Sequence, residues 1–193
     1  MVRDILLTKT SKDWASAVLK DFDLFLLDHA ACERKAAALA MSFVVKYPDR
    51  SKLILPMVSL AREELLHFNQ VYRILEKKNL TLPPKDYKDS YVNDIISQLR
   101  HGRDERFLDR LITSAMIEAR GHERLHIIAE AIEDEQLSTF YKRLAKEEEG
   151  HYKVFINIAR QYFDDDVVEK RQDELLLVEK EACEKTPITF KLH

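Results

Sequence analysis

Leu60-Ala-Arg-Glu-Glu-Leu-Leu-His67 is the stretch that decides the fold, because it places a carboxylate and an imidazole, Glu64 and His67, three residues apart. On an α-helix such positions share a face and lie about 5–6 Å apart, so both side chains are able to bind one metal ion. The stretch therefore predicts a helix whose buried face carries two metal ligands. The other positions of that face are apolar: Leu53, Met57, Leu60, Val71 and Ile74.

The same pattern occurs again at Glu148-Glu-Gly-His151, inside another stripe of apolar residues at helical spacing. Two further predicted helices carry a glutamate at the centre of their apolar face, Glu33 and Glu118. Glu33 lies 31 residues before Glu64, and Glu118 lies 30 residues before Glu148. A helix pair of the form Glu…Glu-x-x-His is therefore present twice.

Four carboxylates on buried helix faces would lose hydration and repel one another, so cations must compensate them. Ferritin-like di-iron and di-manganese bundles have this ligand set: two helices each supply one Glu, and the other two each supply Glu-x-x-His. Two divalent ions would cancel the charge of the four carboxylates. The competing interpretation is a plain helical bundle with surface glutamates. The predicted metal ligands are Glu33, Glu64, His67, Glu118, Glu148 and His151.

The composition favours an all-α chain that forms a single domain over residues 1–193. Only 3 of the 193 residues are Gly and 5 are Pro, while good helix formers abound. The predicted fold class is a ferritin-like four-helix bundle with one long crossover and additional short N- and C-terminal helices. The long helices are expected at about 21–47, 51–78, 105–134 and 138–163, the crossover at 79–103, and the terminal helices near Trp14 and at 164–183.

The chain lacks the sequence features of a membrane or secreted protein. It has no run of about 18 uncharged apolar residues, and its N-terminal residues lack the apolar core of a signal peptide. A cytoplasmic protein without a membrane partner is expected. Cys32 and Cys183 form no Cys-x-x-Cys pair, which argues against a disulfide framework, a zinc site or an iron–sulfur site. Because a glycine-rich nucleotide loop is also missing, electrons for a redox reaction must come from a separate protein.

The charge pattern leaves nucleic-acid binding open. The net charge is −3, but with four glutamates bound to metal, 30 acidic residues remain against 31 Lys and Arg. Basic residues cluster between Arg100 and Arg110, where the crossover meets the third long helix. Such a cluster is able to bind phosphates, although an ordinary solvated helix face explains it at least as well.

Two histidines lie one helical turn from predicted ligands, His29 from Glu33 and His122 from Glu118. At that distance a side chain is able to orient a ligand through a hydrogen bond. Neither histidine completes another Glu-x-x-His, so both are placed outside the ligand set. Three neighbouring glutamates lie about 100° around their helices from the apolar face and are expected to be exposed: Glu63, Glu147 and Glu149.

Four segments together resemble the ligand helices of the MiaE-type tRNA hydroxylases, and the resemblance covers roughly residues 14–162. They are Leu27-Asp-His-Ala-Ala-Cys-Glu-Arg-Lys-Ala-Ala37, Leu60-Ala-Arg-Glu-Glu-Leu-Leu-His-Phe68, Ile117-Glu-Ala-Arg-Gly-His-Glu-Arg124 and Glu148-Glu-Gly-His151. The third segment departs from the family pattern, in which Ser-Cys is expected where Gly121-His122 stands. The departure concerns the surroundings of Glu118 rather than the ligand itself.

The resemblance implies a non-haem di-iron monooxygenase that acts on tRNA. Its substrate would be the prenylated, usually 2-methylthiolated adenosine beside the anticodon, and its isopentenyl group would be hydroxylated at a terminal methyl. The implied cofactors are two iron ions, held by the six predicted ligands, with O₂ as co-substrate. The implied partners are the tRNA anticodon loop and an external electron donor, a ferredoxin or a flavin reductase. The candidate contacts with tRNA are Arg34, Arg100, Arg103, Arg106 and Arg120.

Two other function classes remain open from the sequence. A ferritin-like iron-storage or peroxide-detoxifying protein would use the same ligands, and the storage version predicts a cage of many subunits. A metal-free helical adaptor would have kept only the fold, and it predicts no bound iron. Manganese favours similar ligands to iron, and the sequence does not indicate the oligomeric state.

Overall fold

The computed structural model describes residues 5–192 of the chain. Every regular element in this range is an α-helix, which confirms the all-α class. None of these helices is long and apolar enough to cross a bilayer. The helices are α1 Asp13–Lys20, α2 Phe22–Lys46, α3 Ser51–Lys77, α4 Ser90–Ser97, α5 Arg103–Ala131, α6 Glu135–Glu148, α7 His151–Tyr162 and α8 Asp165–Lys185.

Helices α2 and α3 form an antiparallel hairpin inside a compact unit of residues 16–88 and 189–192. At the open end of the hairpin, Lys78 Nζ lies 2.9 Å from Asp23 Oδ1. Helix α3 stops in a Schellman turn, in which Asn79 has φ 57° and the Leu80 N–H donates to the Leu75 carbonyl over 2.9 Å. Asparagine tolerates this left-handed conformation better than most residues, so the end of α3 is well defined.

Residues 189–192 return to this unit and pack against its first long helix. Leu192 is buried, and its N–H donates to the Asp28 carboxylate on α2 over 2.9 Å. The Phe190 ring packs edge-on against Tyr87, with 5.3 Å between the ring centroids. The tail thus contributes a buried side chain and a buried hydrogen bond to the unit that carries Glu33.

A second compact unit comprises residues 5–15 and 89–188 and is organised around the long helix α5. Helices α6 and α7 run back along α5, because Ser138 donates to the Ala129 carbonyl at one end and the Phe107 and Tyr162 rings meet at the other. Helix α8 packs against the short helix α4, where Ala182 lies in an apolar cluster with Tyr91 and Ile95.

The fourth predicted long helix is divided, which corrects the expectation of one helix over 138–163. Helix α6 ends at Glu148 and α7 begins at His151, with Glu149 and Gly150 forming a turn between them. Both turn residues keep right-handed backbone angles, at φ −55° and −95°. The chain therefore continues in nearly the same direction, and the interruption lies inside the Glu-x-x-His motif.

The other predicted helices agree with the structure to within a few residues. The crossover predicted at 79–103 contains a helix of its own, α4, which spans Ser90–Ser97. The C-terminal helix has 21 residues and is therefore not short. The prediction of one domain over residues 1–193 stays a prediction, and its terminal residues 1–4 and 193 lie outside the described range.

Candidate metal centre

Helix α2 supplies Glu33 together with a partner that orients it. The Glu33 side chain is buried, and its Oε1 lies 2.6 Å from Nε2 of the fully buried His29, one turn earlier on the helix. The Phe25 ring stacks on His29 with 5.6 Å between centroids. The expected role of His29 as a ligand-orienting residue is thus matched by a short hydrogen bond, in which the imidazole N–H donates to the carboxylate.

Helix α3 presents Glu64 and His67 on its buried face, with 1% and 3% of their surfaces exposed. His67 Nδ1 lies 3.9 Å from Glu64 Oε2 and also 3.9 Å from Glu33 Oε2. The hairpin of α2 and α3 therefore brings two carboxylates to one imidazole. The adjacent Glu63 is exposed, as the helical spacing predicts.

The second Glu-x-x-His lies at the junction of α6 and α7. Glu148 and His151 are both buried, and Glu148 Oε2 lies 2.5 Å from His151 Nδ1. Glu118 is half-buried in the middle of α5. Glu147 and Glu149 are exposed, as predicted.

Four of the six predicted ligands are the buried members of the two Glu-x-x-His motifs in the described part of the chain. Glu64 and His67 are buried in one compact unit, and Glu148 and His151 are buried in the other. Carboxylate oxygens and imidazole nitrogens are the donors that iron and manganese accept in proteins. Such a concentration of buried carboxylates is very costly without a compensating cation. The donor set therefore fits a metal centre.

The second predicted orienting residue, His122, has a different environment. It is half-buried on α5, and its ring lies 6.3 Å from that of His126, one turn further along. Burial lowers the pKa of His122, and the neighbouring His126 lowers it further. The role of His122 toward Glu118 stays a prediction.

The basic residues proposed from the sequence differ in their exposure to solvent. Arg34 is exposed and forms a 2.6 Å ion pair with Asp86. Arg100 binds the buried Asp109 carboxylate through its guanidinium and its backbone N–H. Arg106, which is half-buried, donates to the Arg100 carbonyl. Arg103 is exposed at the first position of α5.

Arg120 is buried, which contradicts the expectation that it contacts tRNA. Its side chain is 0% exposed, and its guanidinium donates to the equally buried Glu179 over 2.7 Å and to Glu123 over 2.6 Å. Tyr91 donates to the same Glu179 oxygen, and Thr10 completes the network through Glu123. Burial lowers the pKa of the Arg120 guanidinium, but the neighbouring acidic groups, Glu179 foremost, together outweigh this effect and hold the pKa above its ordinary value. Arg120 therefore joins α5 to α8 and leaves no surface for a phosphate.

The family assignment rests on the whole chain. A family model described as tRNA-(MS[2]IO[6]A)-hydroxylase (MiaE) matches residues 1–193. The chain belongs to the MiaE family. The chain is 36% identical over 156 residues to a tRNA 2-(methylsulfanyl)-N(6)-isopentenyladenosine(37) hydroxylase of Pseudomonas putida, covering 81% of this chain and 75% of that protein.

A second MiaE relative, from Salmonella typhimurium, carries the same name and is 30% identical over 173 residues. This match covers 86% of the chain but 63% of the Salmonella protein, so the chain spans less than two thirds of that relative. A solved structure of a Synechococcus protein, named for aldehyde deformylating oxygenase activity, superposes with a TM-score of 0.92 at 32% identity. The alignment covers 99% of this chain and 96% of that chain, and it confirms the ferritin-like fold.

Several buried residues of this MiaE-family chain were not marked by any sequence pattern. Asp28 is buried on α2, accepts the Leu192 N–H and lies 3.8 Å from the Cys32 sulfur. Asp109 accepts from both Arg100 and Arg171. A carboxylate in a long helix is ordinarily exposed. The only sequence signal for the burial of these two aspartates was their position beside an apolar stripe. That position does not identify a partner far along the chain.

Proposed function

We propose that this chain is a non-haem di-iron monooxygenase that hydroxylates the isopentenyl group of the prenylated, 2-methylthiolated adenosine beside the tRNA anticodon. The observation that carries the proposal is the match over residues 1–193 to a family described as a tRNA hydroxylase. The names of both curated relatives support the same modified base. An enzyme of this kind works where tRNA is, so we place it in the cytoplasm.

We assign six residues to two iron ions. Iron in such a carboxylate-rich site supplies the binding and activation of O₂. The protein contributes the positions of the donors: His29 holds Glu33 through a 2.6 Å hydrogen bond, which fixes the orientation of that carboxylate. Burial of Glu64 and His67 excludes bulk water from the donors. The assigned ligands are Glu33, Glu64, His67, Glu118, Glu148 and His151.

The proposed reaction requires two electrons from outside the chain. Its balance is R–H + O₂ + 2 e⁻ + 2 H⁺ → R–OH + H₂O, where R–H is the terminal methyl of the isopentenyl group. The described part of the chain has two free cysteines, Cys32 and Cys183, and neither belongs to an iron–sulfur motif. A separate ferredoxin or flavin reductase is the proposed donor.

For the tRNA, we propose contacts at four arginines: Arg34, Arg100, Arg103 and Arg106. Arg103 is exposed at the N-terminus of α5, where the helix dipole also favours a phosphate. Arg34 is exposed despite its ion pair with Asp86. Single-stranded RNA is commonly recognised with its bases turned out of the stack, so the anticodon loop is expected to present the modified adenosine in that way.

The test is mass spectrometry of nucleosides from prenylated tRNA incubated with iron-loaded protein, a reductant and isotopically labelled O₂. We expect the prenylated adenosine to gain one labelled oxygen atom. The buried Glu64 and its exposed neighbour Glu63 provide matched variants. Glu64→Ala should lose bound iron and product, whereas Glu63→Ala should keep both. Absence of product from a wild-type protein with two reducible irons per chain would refute the proposed substrate.

A second candidate reaction follows from the solved relative named for aldehyde deformylating oxygenase activity, which is 32% identical over nearly the whole chain. The same iron-loaded protein, given an aldehyde in place of tRNA together with O₂ and the reductant, would then release a hydrocarbon one carbon shorter and formate: R–CHO + O₂ + 4 e⁻ + 4 H⁺ → R–H + HCOOH + H₂O. Detection of that product, with none from tRNA, would move the assignment to the aldehyde reaction. Peroxide consumption or an iron-filled cage, with neither product, would favour the iron-handling alternative.

A further inference from the structure

The turn of α3 that carries two proposed metal ligands has an apolar outer surface. Glu64 and His67 point into the protein, while the two residues between them, Leu65 and Leu66, are 53% and 56% exposed. A single exposed leucine is ordinary on a protein surface. Two consecutive exposed leucines on the outer side of the turn that carries Glu64 and His67 form an apolar contact surface next to the proposed metal centre.

Leu66 lies within a longer strip along the outside of α3. Positions within about 40° of Leu66 around the helix axis include a second leucine, Leu55, which is 78% exposed, and four exposed cations. We call this set the α3 outer strip. Its members are Lys52, Leu55, Arg62, Leu66, Arg73 and Lys77.

The charge of the α3 outer strip is strongly positive although the whole chain carries −3. Two exposed acids of α3 lie beside the four cations, Glu63 and Glu76, and the Glu63 carboxylate accepts a 3.0 Å hydrogen bond from Ser59. Leucines that alternate with cations along a helix face combine apolar contact area with charge pairing, and protein–protein interfaces use both. A surface that binds RNA phosphates needs only lysines and arginines. The exposed leucines therefore favour an acidic protein over RNA as the binding partner of the strip.

The strip also lies close to the proposed centre. An α-helix with its side chains is about 10–12 Å across, so a redox group held against Leu66 is separated from the ligands by little more than one helix. Leu66 and the ligand His67 are consecutive residues. Electron transfer between protein-bound centres falls steeply with distance, which makes this turn a short route inward.

We propose that the α3 outer strip is the docking site of a small acidic iron–sulfur electron carrier, which delivers electrons across the turn holding Glu64 and His67. The inference rests on the proposed monooxygenase function. Each carrier is oxidised by one electron, so two encounters supply the two electrons that hydroxylation consumes, and the two protons come from water. Opposite charges speed such encounters and make their rate fall as salt rises.

The test compares two ways of reducing the same protein. In one arm, a plant-type [2Fe–2S] ferredoxin and its NADPH-dependent reductase supply electrons; in the other, dithionite with methyl viologen replaces both proteins. The strip variant combines Arg62→Glu with Leu66→Glu. The matched control combines Lys170→Glu with Leu177→Glu on α8, where Leu177 is 63% exposed. All four substituted side chains are exposed, and circular dichroism verifies that both variants are folded.

We expect kcat/KM for ferredoxin to fall at least tenfold in the strip variant and to stay within twofold of wild type in the control. With the chemical reductant, both variants should hydroxylate tRNA at the wild-type rate. An unchanged ferredoxin-driven rate in the strip variant would overturn the proposal. So would an equal loss in both arms accompanied by weaker tRNA binding in a gel-shift assay, because the strip would then be an RNA surface.

Failure of the proposed function gives a different result. Wild type would then form no hydroxylated nucleoside in either arm. Stopped-flow reoxidation of reduced ferredoxin by the iron-loaded protein still measures docking in that case. Slower reoxidation by the strip variant alone would support the docking site, and equal reoxidation by all three proteins would refute it.

Discussion

Replacing Arg120 with methionine separates two roles for this side chain, a contact with tRNA and a buried link between α5 and α8. The structure favours the second role, because Arg120 and Glu179 are both 0% exposed and are joined at 2.7 Å. The substitution would leave the Glu179 carboxylate buried without its cation. Breaking such a pair from one side costs about 3–5 kcal/mol.

We therefore expect Arg120→Met to lower the free energy of unfolding by about 3–5 kcal/mol. For a chain of this length, each kcal/mol shifts the melting temperature by about 2–4 °C, so the midpoint should fall by roughly 6–20 °C. Urea titration followed by circular dichroism measures the first quantity and a thermal scan the second. Because tRNA does not reach the buried side chain, the affinity for tRNA at a temperature where the variant is folded should not change.

Two further variants make the result specific. Arg143→Met removes an exposed arginine that lies 3.7 Å from Glu147, and such a surface pair contributes about 0–1 kcal/mol. Combining Arg120→Met with Glu179→Leu removes both charges, so the double variant should recover part of the lost stability. A cost below about 1 kcal/mol for Arg120→Met, together with weaker tRNA binding, would refute the buried-link interpretation.

The remaining predictions concern the metal centre and the acid stability of the fold. Glu118→Ala should lose at least one metal ion and all hydroxylation while the helix content stays constant, as metal analysis and circular dichroism would report; unchanged activity would disprove the ligand assignment. His29→Phe should weaken metal affinity about 10–100-fold, because Glu33 loses its hydrogen-bond donor, and a chelator competition titration measures this; equal affinity would show that His29 does not orient Glu33. Burial raises the pKa of Asp109, but hydrogen bonds from Arg100 and Arg171 outweigh it and hold the pKa below 3.8. Its stabilising effect is thus present above pH 3.8 and lost as the pH falls through the lowered pKa; the difference in unfolding free energy between wild type and Asp109→Asn should shrink on acidification, and a constant difference would contradict this.

The helices could be predicted from the sequence because their apolar stripes repeat over many turns. The stripe around Glu64 and His67 predicted a buried helix face, and α3 spans Ser51–Lys77 with both residues buried. The break at Glu149 and Gly150 was missed because an uninterrupted helix and two helices joined by right-handed residues give the same periodicity. Gly150 was the available signal, and one glycine inside a helical pattern is weak evidence.

The partners of buried charges were harder to predict than the ligands. Glu33 and Glu64 lie on apolar stripes, so their burial followed from local spacing. Arg120 pairs with Glu179, 59 positions later, and Asp28 pairs with the Leu192 N–H, 164 positions later. Local sequence patterns carry no information about which distant residue meets a side chain. Arg120 was for that reason assigned to tRNA from its position beside Glu118, whereas the structure places it in the core.

The return of residues 189–192 to the unit built by residues 16–88 affects the order of events during translation. The 100 residues from Asp89 to Ile188 lie between the two parts of this unit. At about 5–20 residues per second the ribosome needs roughly 5–20 s to add them. Throughout that interval the nascent hairpin of α2 and α3 lacks Leu192 and the N–H that Asp28 accepts in the finished protein. This helix pair therefore completes its packing only after Leu192 has been synthesised, long after α2 and α3 themselves.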